Sequence, residues 1–74
     1  MLEEIRKIVV QYSQDENVQI SENSVLLTDL GLNSFELIES LCTMEETFSV
    51  EFPDKEIRNF KTVGDVMQFI EVHS

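Results

Sequence analysis

Lysine and arginine are missing from residue 8 to residue 54 of this 74-residue chain. The gap is not a neutral stretch. It holds Asp15, Glu16, Glu22, Asp29, Glu36, Glu39, Glu45, Glu46, Glu51 and Asp54, while the two ends balance five bases against five acids. The whole net charge of -10 therefore lies in the middle. So acidic a chain does not suit nucleic acid, whose phosphates want Lys and Arg. It also fits poorly on an anionic membrane surface. It suits a partner with a basic patch.

Other scarcities exclude more. Cys42 is the only cysteine, so no internal disulfide forms and a reducing, cytoplasmic setting is the default. His73 is the only histidine. With one Cys and one late His, neither a zinc site nor a Cys-His or Ser-His catalytic pair has enough residues. No D-x-D-x-D-G loop offers a calcium site. No apolar run nears membrane-spanning length. The opening MLEEIRKIVV does not read as a signal peptide, since acids precede the bases and the apolar stretch is short. The 8.6 kDa mass allows one small domain, taken as 1–74, and no more.

What is present has helical period. Leu2, Ile5, Ile8, Val9 and Tyr12 share one face and predict a helix over 2–13. From 14 to 33 the pattern breaks into turn formers, QDEN, SENS and TDLGLN. Val18, Ile20, Val25, Leu26, Leu27, Leu30 and Leu32 nonetheless make this long connection apolar, so it should lie across the core. A short helical turn near 26–30 is compatible with it. Asn33 and Ser34 then form a helix start, with Glu36 three residues after Asn33 as a capping box would place it. Phe35, Leu37, Ile38, Leu41, Met44 and Phe48 extend that helix over 34–48. Pro53 stops any helix passing through Phe52. A short helix over 54–58 capped by Asp54, and a last helix opened by Thr62 with Asp65 and ending near Val72, complete the chain. No strand alternation persists. The expectation is an all-α, small four-helix bundle, three main helices and one short, with a long loop after the first. Its interior should hold Ile5, Val9, Leu26, Leu30, Leu37, Leu41, Met44, Phe48, Ile57, Phe60, Val63, Val66 and Ile70.

Ser34 is the residue that asks for a function. It follows Asp29, Gly31 and Asn33 and opens the most acidic helix. A hydroxyl at a helix start lies near unpaired N–H groups and the positive end of the helix dipole, which favour a phosphate. That placement suits a phosphodiester better than a nucleophile, for which His73 is the only conventional base. A serine at a helix start is most often only a cap, and helix chemistry alone leaves both readings open.

The stretch LLTDLGLNSFELIESL resembles the modification site of acyl carrier proteins, usually an Asp-Leu-Gly run, then Asp-Ser-Leu and an acidic helix. MEETFSVEFPDKEI is similar to that family's passage from the end of this helix to Ile-Pro-Asp. FKTVGDVMQFI is similar to its last helix and LEEIRKIVV to its first. The likeness runs nearly the whole chain. It implies a carrier, not an enzyme. Ser34 would receive 4′-phosphopantetheine from coenzyme A through a phosphopantetheinyl transferase, beside Asp29, Gly31 and Asn33. The arm's thiol would hold acyl groups as thioesters for synthase, ligase or reductase enzymes. Asn33 replaces the family's usual Asp and keeps its capping ability without its charge. Phe35 replaces the usual Leu.

The helix after Ser34 presents Phe35, Ile38, Cys42 and Glu45 on one stripe, with Glu36, Glu39 and Glu46 about it. An apolar strip rimmed by carboxylates matches docking into a basic-edged groove. Cys42, with no activating base nearby, reads as part of this strip or of the core edge. The same surface fits a fatty-acid or polyketide carrier, an aminoacyl or D-alanyl carrier, or an unmodified acidic adaptor. The chain is expected to act as a monomer.

Overall fold

In the computed structural model, which describes residues 1–13 and 17–73, four helices follow in order. They are α1 (Leu2–Tyr12), α2 (Ser34–Phe48), α3 (Asp54–Asn59) and α4 (Val63–His73). The expected short helix over 54–58 forms as α3. Its expected cap does not. Pro53 is the N-cap, with φ -61° and ψ 148°, and Asp54 is the first helical residue, with no side chain capping the turn. Proline fixes the extended entry by its ring, so no carboxylate is required there. The first residues of the connection, 14–16, lie outside the described residues.

The long connection does lie across the core. Val18, Leu26, Leu30 and Leu32 are buried with Ile5 and Val9 of α1, Leu37, Leu41 and Met44 of α2, and Val63, Val66 and Ile70 of α4. Each such side chain contributes roughly 1.5–3 kcal/mol when fully buried. Residues 25–29 make a single turn, Asp29 N–H donating to Val25 O at 2.9 Å. The Asp29 carboxylate closes it by accepting from Val25 N–H at 2.8 Å.

The connection is also tied to the start of α4. Leu26 N–H donates to Lys61 O, Val63 N–H to Ser24 O, and Gly64 N–H to Glu22 O, all at 2.8 to 2.9 Å. Val25 and Thr62 form an isolated antiparallel bridge. The approach is close enough that a Cβ on Gly64 would stand 3.0 Å from Glu22 O, a tight contact with backbone that favours glycine there. Thr62 and Asp65 cap each other. Asp65 N–H donates to Thr62 Oγ1 at 3.2 Å, and Asp65 Oδ2 accepts from Thr62 N–H at 3.1 Å and Lys61 N–H at 2.9 Å. Those backbone donors, Lys61 first, hold the Asp65 carboxyl below its ordinary value of 3.8.

Three expected core residues, Phe48, Ile57 and Phe60, are only half-buried, packed against the core's edge. Val50 and Phe52 go inside in their stead, with Ile8 and Met67. Phe52, Phe60 and Phe69 meet edge to face, ring centres 5.3 to 5.8 Å apart. Tyr12 links α1 to α2 through a 2.7 Å hydrogen bond with Thr43 Oγ1. That hydroxyl donates on to Glu39 O at 3.2 Å, which makes Tyr12 the donor.

Candidate functional site

The site is built on the first turn of α2. Gly31 takes φ 68°, in the left-handed region where a side chain would be strained, and turns the chain into the helix. Asn33 then stands at the N-cap in extended backbone. Its Oδ1 accepts from Glu36 N–H at 2.7 Å, and the Glu36 carboxylate accepts from Asn33 N–H at 3.0 Å. The capping box is complete with Asn in the place usually held by Ser or Thr.

This settles what Ser34 is not. Asn33 caps the helix, and Ser34 is its first helical residue. The Ser34 side chain is exposed, and no hydrogen bond among the described residues occupies its hydroxyl. Two of the helix's first N–H groups are spoken for, Glu36 N–H by the Asn33 side chain and Leu37 N–H by Asn33 O. Those of Ser34 and Phe35 have no partner among the described residues. A free hydroxyl thus stands beside two free N–H donors at the positive end of a 15-residue helix. A phosphodiester on Ser34 would fit this place: the hydroxyl is exposed, and two N–H donors stand at the same helix start to meet a negative charge.

The other expected residues divide. Asn33, Ser34, Gly31 and Glu36 come together at the helix start. Asp29 is spent on the 25–29 turn, where it orders the approach to Gly31. Phe35 and Ile38 are 71% and 46% exposed, and Cys42 is exposed one turn further along α2. Glu39 is half-buried and Glu46 exposed beside them. Glu45 is half-buried, and its Oε2 accepts from Phe52 N–H at 2.6 Å, so one of its oxygens serves the fold. Leu27, 61% exposed in the loop before Gly31, was not anticipated as a surface residue. It lies within the 25–29 turn, and the turn read from the sequence did not say which of its apolar residues would face outward.

A family model described as a phosphopantetheine attachment site matches residues 3–70. The chain belongs to this family, that of the acyl carrier proteins. An acyl carrier protein of Wolinella succinogenes is 33% identical over 99% of this chain and 96% of its own length. One of Zymomonas mobilis is 39% identical over 96% of this chain and 91% of its own. A solved structure assigned as an acyl carrier protein from Mycobacterium tuberculosis superposes with a TM-score of 0.82 at 30% identity, covering 95% of this chain and 93% of that one. Members of the family are carriers, not enzymes, and the four-helix arrangement here is theirs. Among the described residues no helix of this carrier is long and apolar enough to cross a membrane, and no cluster of ligands could hold a metal ion.

Proposed function

We propose that this carrier holds acyl intermediates as thioesters on a 4′-phosphopantetheine arm attached to Ser34, and delivers them to biosynthetic enzymes of fatty-acid, polyketide or related type in the cytoplasm. One observation carries the reading. The Ser34 hydroxyl is exposed and unbonded at a helix start whose cap is another residue. A serine kept only for capping would have its oxygen in the cap.

The chain's own residues have definite parts. The Ser34 hydroxyl gives up its proton and takes the phosphoryl end of the arm from coenzyme A, with the base supplied by a phosphopantetheinyl transferase. Asn33 and Glu36 fix the backbone of the first turn from which the hydroxyl projects. The N–H groups of Ser34 and Phe35 face the charge of the diester. When bound, the arm supplies a terminal thiol that raises the local concentration of its cargo at whichever active site the carrier docks on.

Docking falls to α2. Phe35, Ile38 and Cys42 give an apolar strip, and Glu36, Glu39, Glu46 and the second oxygen of Glu45 give the acidic rim. Synthase, ligase or reductase partners with basic patches beside an apolar groove complement it. The test is direct. Incubated with coenzyme A and a broad-specificity phosphopantetheinyl transferase, the chain should gain the mass of one arm, and Ser34→Ala should gain none. Equal gain by both proteins removes Ser34 from the role.

A further inference from the structure

A second concave surface lies on the other pair of helices. An open groove of about 340 Å³ runs between α3 and α4, and no residue of α2 lines it. Its volume is near the lower end of the roughly 300–1,000 Å³ typical of ligand sites, so a single long side chain is the natural size of occupant. The wall is aromatic. Phe69 and His73 are stacked, ring centres 4.1 Å apart and planes 24° from parallel, and Phe60 meets Phe69 edge on at 5.8 Å. The polar lining is rich in acceptors and has no fixed cation. Glu56 and Asp65 bring carboxylates, and Asn59 and Gln68 bring side-chain amides, each with an oxygen that can accept.

Glu56 is half-buried, and its carboxylate makes no hydrogen bond among the described residues. Asp65 uses Oδ2 in the α4 cap and keeps Oδ1. No Lys or Arg lines the groove; Lys61 stands near enough to Asp65 to act on its charge but is not part of the wall. Flat rings sharing one groove with carboxylates and side-chain amides match one side chain best. A guanidinium is planar, weakly hydrated, stacks on aromatic faces and has five N–H donors. An ammonium has neither the plane nor the fork.

We infer that the α3–α4 groove, walled by Phe60, Phe69 and His73 and edged by Glu56, is a docking socket for an arginine side chain presented by a partner protein. It is separate from the strip on α2, so a partner can grip the carrier without covering Ser34. The inference does not depend on Ser34 being modified.

The test uses the full chain, isotope-labelled for NMR, titrated with arginine blocked at both ends, N-acetyl-arginine methylamide. Saturable shifts are expected in the millimolar range at the side-chain amides of Asn59 and Gln68 and the backbone amides of Phe69 and His73. The blocked lysine analogue should bind at least about threefold more weakly. Glu56→Gln, checked for an unchanged melting temperature, should weaken arginine by about threefold or more. Ser34→Ala should bind as the unaltered chain does. Lack of saturable shifts at these residues, equal binding of lysine, or indifference to Glu56→Gln overturns the socket. So does tighter binding of free arginine than of the blocked form, which would assign the groove to a small metabolite.

Discussion

Helices α2 and α4 begin alike. Each opens with a reciprocal cap, Asn33 with Glu36 and Thr62 with Asp65. Beyond the cap they part. The first N–H groups of α4, on Val63 and Gly64, are taken by Ser24 O and Glu22 O of the long connection, and the turn is packed shut. The corresponding groups of α2, on Ser34 and Phe35, meet nothing from the described residues, and the side chain there is a bare hydroxyl. One sequence device therefore serves two ends: closed by a loop it joins parts of the fold, and left open it offers a place for an anion. The difference is made by the neighbours of the cap and not by the cap.

The sharpest way to break this comparison is to exchange the expected losses. Ser34→Ala should abolish attachment of the arm in the mass assay and leave the melting temperature within about 2 °C, as a surface change does. Gly64→Val should do the reverse. Its side chain meets Glu22 O, so the loop must lift, costing on the order of 1–3 kcal/mol. For a domain this small each kcal/mol lowers the melting temperature by roughly 4–8 °C, readable by circular dichroism, while loading on Ser34 persists below the melt. Were Ser34→Ala to unfold the chain, or Gly64→Val to leave stability unchanged, the open and closed starts would not differ as described.

The two caps should be closer in effect. Asn33→Ala and Asp65→Ala should each cost about 1 kcal/mol in urea unfolding. Asp65→Ala should be the larger, because its carboxylate serves the N–H groups of both Lys61 and Thr62. Acid gives a gentler probe. The Asp65 carboxyl is depressed in the folded state, so its stabilisation is complete above its ordinary value of 3.8 and is lost as pH falls through the lower, folded value. Hydrogen exchange at Lys61 and Thr62 should quicken in that window, and Asp65→Asn should flatten the acid side of the stability curve. Smallest of all is salt. With ten acids and no base over residues 8–54, added salt should raise the melting temperature by a few degrees, and a melt indifferent to salt would mean those charges are already compensated.

How much of this was legible in the sequence follows from where each interaction runs. The span of α2 could be read residue for residue, because Asn33 and Glu36 cap locally and the apolar period ends at Phe48. The start of α4 was legible for the same reason in Thr62 and Asp65. The carbonyls of Glu22 and Ser24 that close α4 were not, since they come from some forty residues away and a backbone acceptor leaves no mark on composition. Phe52 and Val50 were missed as core because they follow the helix, where no period orders them. Phe48 and Phe60 were over-read, since a large apolar residue at the right spacing can still sit at the rim. At the site, helix chemistry offered Ser34 as either cap or attachment point, and the Asn33–Glu36 capping box was already legible in their spacing. Its geometry, with the Asn33 oxygen on Glu36 N–H, shows that Ser34 is not the cap.

Glu45 bears on how α2 is held. Its bond to Phe52 N–H, with Ser49 in the left-handed region accepting the turn, fastens the far end of α2, as the Asn33 box fastens the near end. Both ends of α2 are thus tied to neighbouring backbone by carboxylates of the helix itself, Glu36 at the near end and Glu45 at the far end, so two of its acids are spent on holding the helix that carries Ser34.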